Sequence, residues 1–353
     1  MNRRKVKKPR RTAVKRTPDA AEKRERKLDQ IGDPLRVLER YIDFAALADQ
    51  VDELEPRPSG DRGGRPPYPT EVMIRILTLK HLYNLSDESM EFQLLDRLSF
   101  QRFCGLQGSA TIPDRTTIWN FEQRLVRAEA GDAIFEAVQR ELVRHGYIAR
   151  CGQIVDATLI QAPRQHPSSE EREILQQEAT PAHWNRHQRR QHDPDARWTK
   201  KHGCSYFGYK LSANVDVRHK LIRGCVISDA AEHDVRHLPA LLDSANTSAD
   251  VYADRGYAGR NQEQALQAQG YRPQIQRKAS PGKKLDARQR KRNRRIARTR
   301  ARGEHVFAVL AQCYGIGVRC IGLARAKLQL MFAAAVYNMR RLASLREAGV
   351  PPF

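Results

Sequence analysis

The chain has 353 residues and a formal net charge of +22. That length allows two domains with a sizeable core. The excess of Lys and Arg calls for a polyanionic partner, most simply nucleic acid, and no apolar run is long enough to span a bilayer. The six cysteines form no CxxC pair, so neither a zinc finger nor a disulfide framework is expected, and a reducing cytoplasm fits. The basic N-terminus is followed by no apolar stretch, so no secretory leader is expected.

Residues 1–30 are dominated by Lys and Arg and read as a disordered arm, either a phosphate-binding tail or a solubilising one. From Leu35 to Leu54 apolar residues recur at helical spacing. A Pro/Gly/Arg linker follows over 56–69. Thr70 is a candidate cap for a helix carrying Val72, Met73, Ile76, Leu77, Leu79 and Leu82. Ser86 starts another. Asp114 or Thr116 can cap the next, which holds Ile118, Trp119, Phe121 and Leu125, and residues 132–145 add one more. Short helices and tight turns suit a helix-turn-helix type of module. Arg115, Thr116, Thr117, Asn120 and Arg124 lie at the start and along one side of the 114–127 helix and are candidates to touch DNA. The bland alternative is a helical bundle with a polar outer face.

At Gln153 the pattern changes. Ile154 to Ile160 is rich in β-branched residues and predicts a strand. Residues 163–202 are polar and aperiodic and read as an insertion or long surface loop. Strands are predicted at 206–217 and 221–228, with Arg218-His219-Lys220 as their turn. A helix near 235–244, a strand ending at Asp254, a helix to Ala268 and a strand near 271–275 follow. Residues 277–302 are a dense basic run with one acid, Asp286, and an apolar helix is expected from Ala326 to Leu345. The order predicts a mixed α/β sheet.

Three acids stand out: Asp156 inside the first strand, Asp254 at the end of the fourth, and Glu304 after the basic run. Each has a bland reading. Asp156 can pair with an Arg at the edge of the core, Asp254 can cap the next helix, and Glu304 can be a solvated acid among arginines. Together, three carboxylates from separate elements can bind two divalent ions, and hard oxygen ligands suit Mg²⁺ (or Mn²⁺). Two such ions, roughly 3.5–4 Å apart, activate the attacking oxygen and stabilise the leaving one at a phosphodiester. No GxxxxGK[ST] loop is present, so the energy should come from the phosphodiesters themselves. On a helix, Arg300 would lie about 40° from Glu304, facing phosphate, with Val306, Val309, Leu310 and Cys313 opposite. Gly303 costs about 1 kcal/mol in a helix interior and is a place for that helix to start only at Glu304. Arg302 is expected to point toward the apolar side.

Val155-Asp156-Ala157-Thr158, Gly208-Tyr209-Lys210-Leu211, Tyr252-Ala253-Asp254-Arg255-Gly256-Tyr257, and Arg300 with Glu304 resemble bacterial DDE transposases of the insertion-sequence-five type. Tyr68-Pro69-Thr70 through Leu106 and Ile112-Pro113-Asp114-Arg115-Thr116-Thr117-Ile118 resemble that family's N-terminal region. The resemblance implies an RNase H-like mixed-sheet catalytic domain over 151–353, interrupted by the insertion. An all-α helix-turn-helix-like region (35–150) and a disordered basic arm (1–34) would precede it. It also implies cut-and-rejoin chemistry at insertion-sequence ends, with Asp156, Asp254 and Glu304 as catalytic and metal-binding residues. The implied partners are the element's terminal repeats and target DNA, held by a homo-oligomer at the bacterial nucleoid, with no membrane. Two positions depart from the pattern: Ala297 stands where relatives often carry Tyr, and Ala311 where they carry Lys. Two readings stay open beside this one, a catalytically inactive DNA-binding protein derived from a transposase and a nuclease that cuts without joining.

Overall fold

Apolar residues at helical spacing dominate up to residue 150, and there the chain is helical. The computed structural model describes residues 17–56, 66–163, 168–177, 179–201, 203–279, 282 and 284–352. Residues 1–16 of the basic arm, 57–65 of the linker and 164–167, 178 and 202 of the insertion lie outside the described residues. The first part holds α1 (Ala20–Ile31), α2 (Pro34–Tyr41), α3 (Phe44–Leu54), α4 (Thr70–Leu82), α5 (Asp87–Asp96), α6 (Leu98–Phe103), α7 (Arg115–Arg127) and α8 (Gly131–Arg144). Ser86 caps α5 by accepting from the Ser89 N–H, and Asp114, not Thr116, caps α7 by accepting from the Thr117 N–H. Thr70 does not cap α4. Its hydroxyl donates instead to Asp52 at 2.6 Å, tying α4 to α3.

The stretch expected as part of a disordered arm contains α1, which buries none of its residues. Ion pairs one turn apart support it, Lys23–Asp19 at 2.7 Å and Arg26–Glu22 at 3.2 Å. Arg102 of α6 is buried and reaches Glu25 at 3.3 Å, Asp29 at 3.4 Å and Asp33. Composition alone did not reveal that tether.

The second part holds β1 (Gln153–Gln161), α9 (Ser169–Gln176), α10 (Arg186–Gln191), β2 (Arg197–Lys201), β3 (Cys204–Asp216), β4 (Ile222–Asp229), α11 (Leu238–Leu241), β5 (Asp250–Ala253), α12 (Arg260–Ala268), β6 (Arg272–Ile275), α13 (Ala287–Cys313) and α14 (Leu323–Glu347). The sheet runs β2-β3-β1-β5-β6, with β4 paired to β3. The β3 pairings with β1, β2 and β4 are antiparallel, while β1–β5 and β5–β6 are parallel. The mixed α/β sheet expected from the sequence is therefore present. Helices cover both faces: α13 packs on β1 and β5, α14 on β3 and β4, and α11 and α12 on the other side. Val155, Val251, Ala253, Leu238, Leu241, Leu266 and Ile275 form the smaller core under that other side.

The insertion is more than a surface loop. Two short helices and β2 lie within it, and β2 pairs with the first residues of β3. Bonds from the Trp184 and Ser168 N–H groups hold the Glu171 carboxyl down to about 2. The buried Asp193 accepts from the Tyr209 hydroxyl at 2.7 Å and from the Gly322 N–H at 3.2 Å, stitching the insertion to β3 and to the start of α14.

The division expected at residue 150 is not the edge of a core. One continuous apolar cluster includes Leu77, Leu94, Leu125 and Val138 of the helical part together with Leu211 and Val215 of β3. The element that joins them is α14. It packs against α2, α4, α7 and α8 on one side and β3 and β4 on the other, which explains why it is apolar nearly all round. At this seam His81 of α4 stacks on Phe332 of α14, with ring centroids 4.9 Å apart. Burial, with Lys80 adding to it, pushes the imidazole down to about 3. The unfolded chain takes up that proton near pH 6.5 and the folded chain does not. The stability His81 contributes is thus present above 6.5 and lost as pH falls below it. Melting temperatures measured from pH 7 to 4.5 should fall less steeply for His81→Gln than for the parent.

Candidate active site

Asp156 lies in the middle of β1, and Asp254 immediately follows β5. The parallel register pairs Gln153 with Val251 and Ile154 with Tyr252. Two residues further along, Asp156 comes level with Asp254, and alternation turns both side chains to the face that carries Ile154 and Tyr252. That is the face on which α13 lies. The β-branched run and the Gly-containing turn after Ala253 thus bring two carboxylates level with each other, one inside β1 and one just past the end of β5. Asp254 also fulfils its bland reading. Its Oδ1 accepts from the Gly256 N–H at 2.6 Å and caps a one-turn helix over Arg255–Tyr257.

The third carboxylate comes from α13. This helix does not start at Glu304. It begins at Ala287 with Asp286 as its cap, the single acid of the basic run, and continues through Gly303 to Cys313. The reason for the glycine is tertiary. A Cβ at Gly303 would stand 2.8 Å from the Ile154 Cγ2, so its absence lets the helix settle on β1 beside Asp156. Gly303→Ala should therefore lift α13 by a few tenths of an ångström and displace Glu304. Because small misplacements of reacting groups cost large factors, any chemistry that uses Glu304 is expected to fall about tenfold. The double variant with Ile154→Ala should recover part of the loss, and activity of the two folded proteins checks it.

The buried stripe of α13 is Ile296, Arg300, Gly303, Val306 and Leu310. Arg300 thus lies within that stripe, where the sequence placed it on an open face toward phosphate. Its Nη2 donates to the Asp156 Oδ2 at 2.5 Å and lies 3.8 Å from the Glu304 Oε1, and its Nη1 donates to the Gln276 Oε1 at 3.3 Å. Burial pushes the Asp156 carboxyl above its ordinary range, Arg300 opposes that, and Asp254 adds to it. Tyr257 is buried close by, and burial with the Asp234, Asp156 and Asp254 carboxylates pushes its phenol up. Arg302 does not point into the apolar side. It is exposed and donates to the Val217 carbonyl at 2.7 Å. Ala297 and Ala311 are exposed as well. Sequence reasoning missed Gln276, which sits just past β6 with no motif around it.

A divalent cation fits the donor chemistry here, since the carboxylates offer only hard oxygens and Glu304 is 60% exposed, able to turn toward the other two. Among the described residues no three acidic, His or Cys side chains stand ready to hold an ion. The Arg300 guanidinium occupies Asp156 instead. Exposed Arg288, Arg290, Lys291, Arg294, Arg295 and Arg298 run along the N-terminal half of α13, leading to the carboxylates.

The DNA-reading residues separate. Thr116 and Asn120 are exposed on α7. Arg115 is exposed and paired with Glu88 at 2.8 Å. Thr117 is half-buried, its N–H used by the Asp114 cap. Arg124 is half-buried and donates to Asp52 at 3.0 Å and to the Glu55 carbonyl, which ties α7 to α3.

Residues 148–339 match the family described as Transposase DDE domain. Residues 22–124 match the family described as Transposase domain (DUF772). Among solved structures, the cryo-EM structure of the piggyBac transposase synaptic complex with hairpin DNA is similar at 12% identity and a TM-score of 0.46. The match covers 92% of this chain and 78% of that one.

Proposed function

Because the chain belongs to the DDE transposase domain family, it is a DNA transposase, a metal-dependent nuclease and strand transferase, and we propose that Asp156, Asp254 and Glu304 are its catalytic carboxylates. The observation that carries this reading is the convergence just described: two carboxylates level on adjacent parallel strands, and a third on the helix that a glycine lets down beside them. The insertion-sequence-five type, Mg²⁺ as the ion, and the element's terminal repeats as the DNA bound are parts of the same proposal. So is a homo-oligomer, since two ends must be held together. Divalent ions bound by the triad would activate the attacking oxygen and stabilise the leaving one.

The chain's own residues do the rest. The α13 arginines and lysine hold phosphates and position the backbone without reading sequence. Thr116, Asn120 and Arg115 on α7 are the base-reading candidates, with Thr117 at their edge. Water cuts the element's end in the first step, and the released 3′-hydroxyl attacks target DNA in the second, so no nucleotide triphosphate is needed. The test uses the full chain, labelled terminal-repeat duplex, target DNA and Mg²⁺. Joined products are expected. Cutting without joining would make the protein a nuclease, and binding without cutting an inactive derivative.

A further inference from the structure

Asp156 is a half-buried carboxylate, and taking one out of water without a counter-charge is costly. Within the described residues its counter-charge is Arg300, at 2.5 Å, itself only 9% exposed. The same guanidinium leans toward Glu304 at 3.8 Å and is anchored from the far side by Gln276. One Asp156 oxygen is used by Arg300, while the other accepts the Ala157 N–H at 2.9 Å. A cation approaching Asp156 therefore meets a carboxylate whose two oxygens are already engaged. The anchor is one neutral bond of 3.3 Å, and among the described residues the buried Arg300 Nε has no hydrogen-bond partner, so little besides Asp156 keeps the guanidinium where it is.

We propose that Arg300 is the resident counter-ion of the unloaded site, and that loading a divalent cation is an exchange in which Arg300 gives up Asp156. This rests on the reading of Asp156 as a metal ligand. Arg300 is thereby a positioning residue. It holds Asp156 in place before loading, and it competes with the ion for the same oxygen. The competition sets how much free cation the DNA-free protein needs. A purely structural Arg300 would have the opposite effect, since removing it would disorder the site and weaken the ion's hold.

The experiment measures Mn²⁺ affinity on the DNA-free full chain, by titration calorimetry and by the electron-spin signal of unbound Mn²⁺. Arg300→Gln is expected to bind Mn²⁺ at least about tenfold more tightly than the parent, because a charge-assisted hydrogen bond no longer has to be broken. Arg300→Lys keeps a charge near Asp156 but cannot also reach Gln276 and Glu304, so it should bind a few-fold more tightly. If Arg300→Gln does not fold, the lysine variant decides. Asp156→Asn should lose binding. Equal or weaker Mn²⁺ affinity in the folded Arg300 variants, with binding lost in Asp156→Asn, overturns the exchange and leaves the metal-site reading standing. Unchanged binding in Asp156→Asn overturns both.

Discussion

Asp156→Asn, Asp254→Ala and Glu304→Ala are each expected to lower end cleavage by about 10³-fold or more, roughly 4 kcal/mol of transition-state stabilisation, with DNA affinity nearly intact. The reason for the split is charge. Carboxylates repel phosphate, so removing one does not weaken DNA binding in the absence of the ion, whereas in the proposed site chemistry through the ion requires all three. The three variants differ in what they do to the fold. Glu304 is 60% exposed and its ion pair to Arg300 is loose, so its loss should change stability by no more than about 0.5 kcal/mol. Asp254→Ala removes the cap on the Gly256 N–H, worth about 1 kcal/mol. Asp156→Ala would strand the buried Arg300 charge at a cost of about 3–5 kcal/mol, which is why Asn, still able to accept from the guanidinium, is the cleaner probe. Cleavage rates on one labelled end, with DNA affinity measured on the same preparations, check all three. A folded variant that cuts at near the parent rate removes its residue from the catalytic set.

Cutting the chain after residue 150 is expected to leave a helical fragment that does not fold by itself. The sequence suggests the reverse, an independent DNA-binding region. The fragment would lack α14, whose Leu328, Leu330, Met331, Phe332, Val336, Met339, Leu342 and Leu345 are all buried. At about 1.5–3 kcal/mol for each large side chain buried, their loss from the shared core exceeds about 10 kcal/mol, comparable with the whole stability of a typical domain. The exposed apolar faces of α4, α7 and α8 would then drive aggregation. Circular dichroism and sedimentation of the fragment, alone and with a separately expressed chain from residue 151 onward, provide the check. A monomeric fragment with a cooperative thermal transition would show that α14 is dispensable to the helical part.

Features carried by short stretches were legible in the sequence. The β-branched run around Asp156, the Gly-punctuated turn after Asp254, the Ser86 and Asp114 caps, and the apolar helix near 326–345 each depend on neighbours within a turn or a strand length. The basic run along α13 was legible for the same reason, since charge is a property of composition. What joins distant stretches was decided by packing. Arg300 and Asp156 are 144 residues apart, and only the descent of α13 onto β1 brings them together. Gly303 looked like a helix breaker, because propensity counts its entropy and cannot count the Ile154 methyl on the other side. The tie from Arg124 to Asp52 was not legible, because Asp52, 72 residues earlier, stands on another helix. The boundary at residue 150 marks a change in residue pattern from helix to strand. The core ignores it, because burial is settled by which apolar faces meet, and α14, from the far end of the chain, is the face that fits the helices.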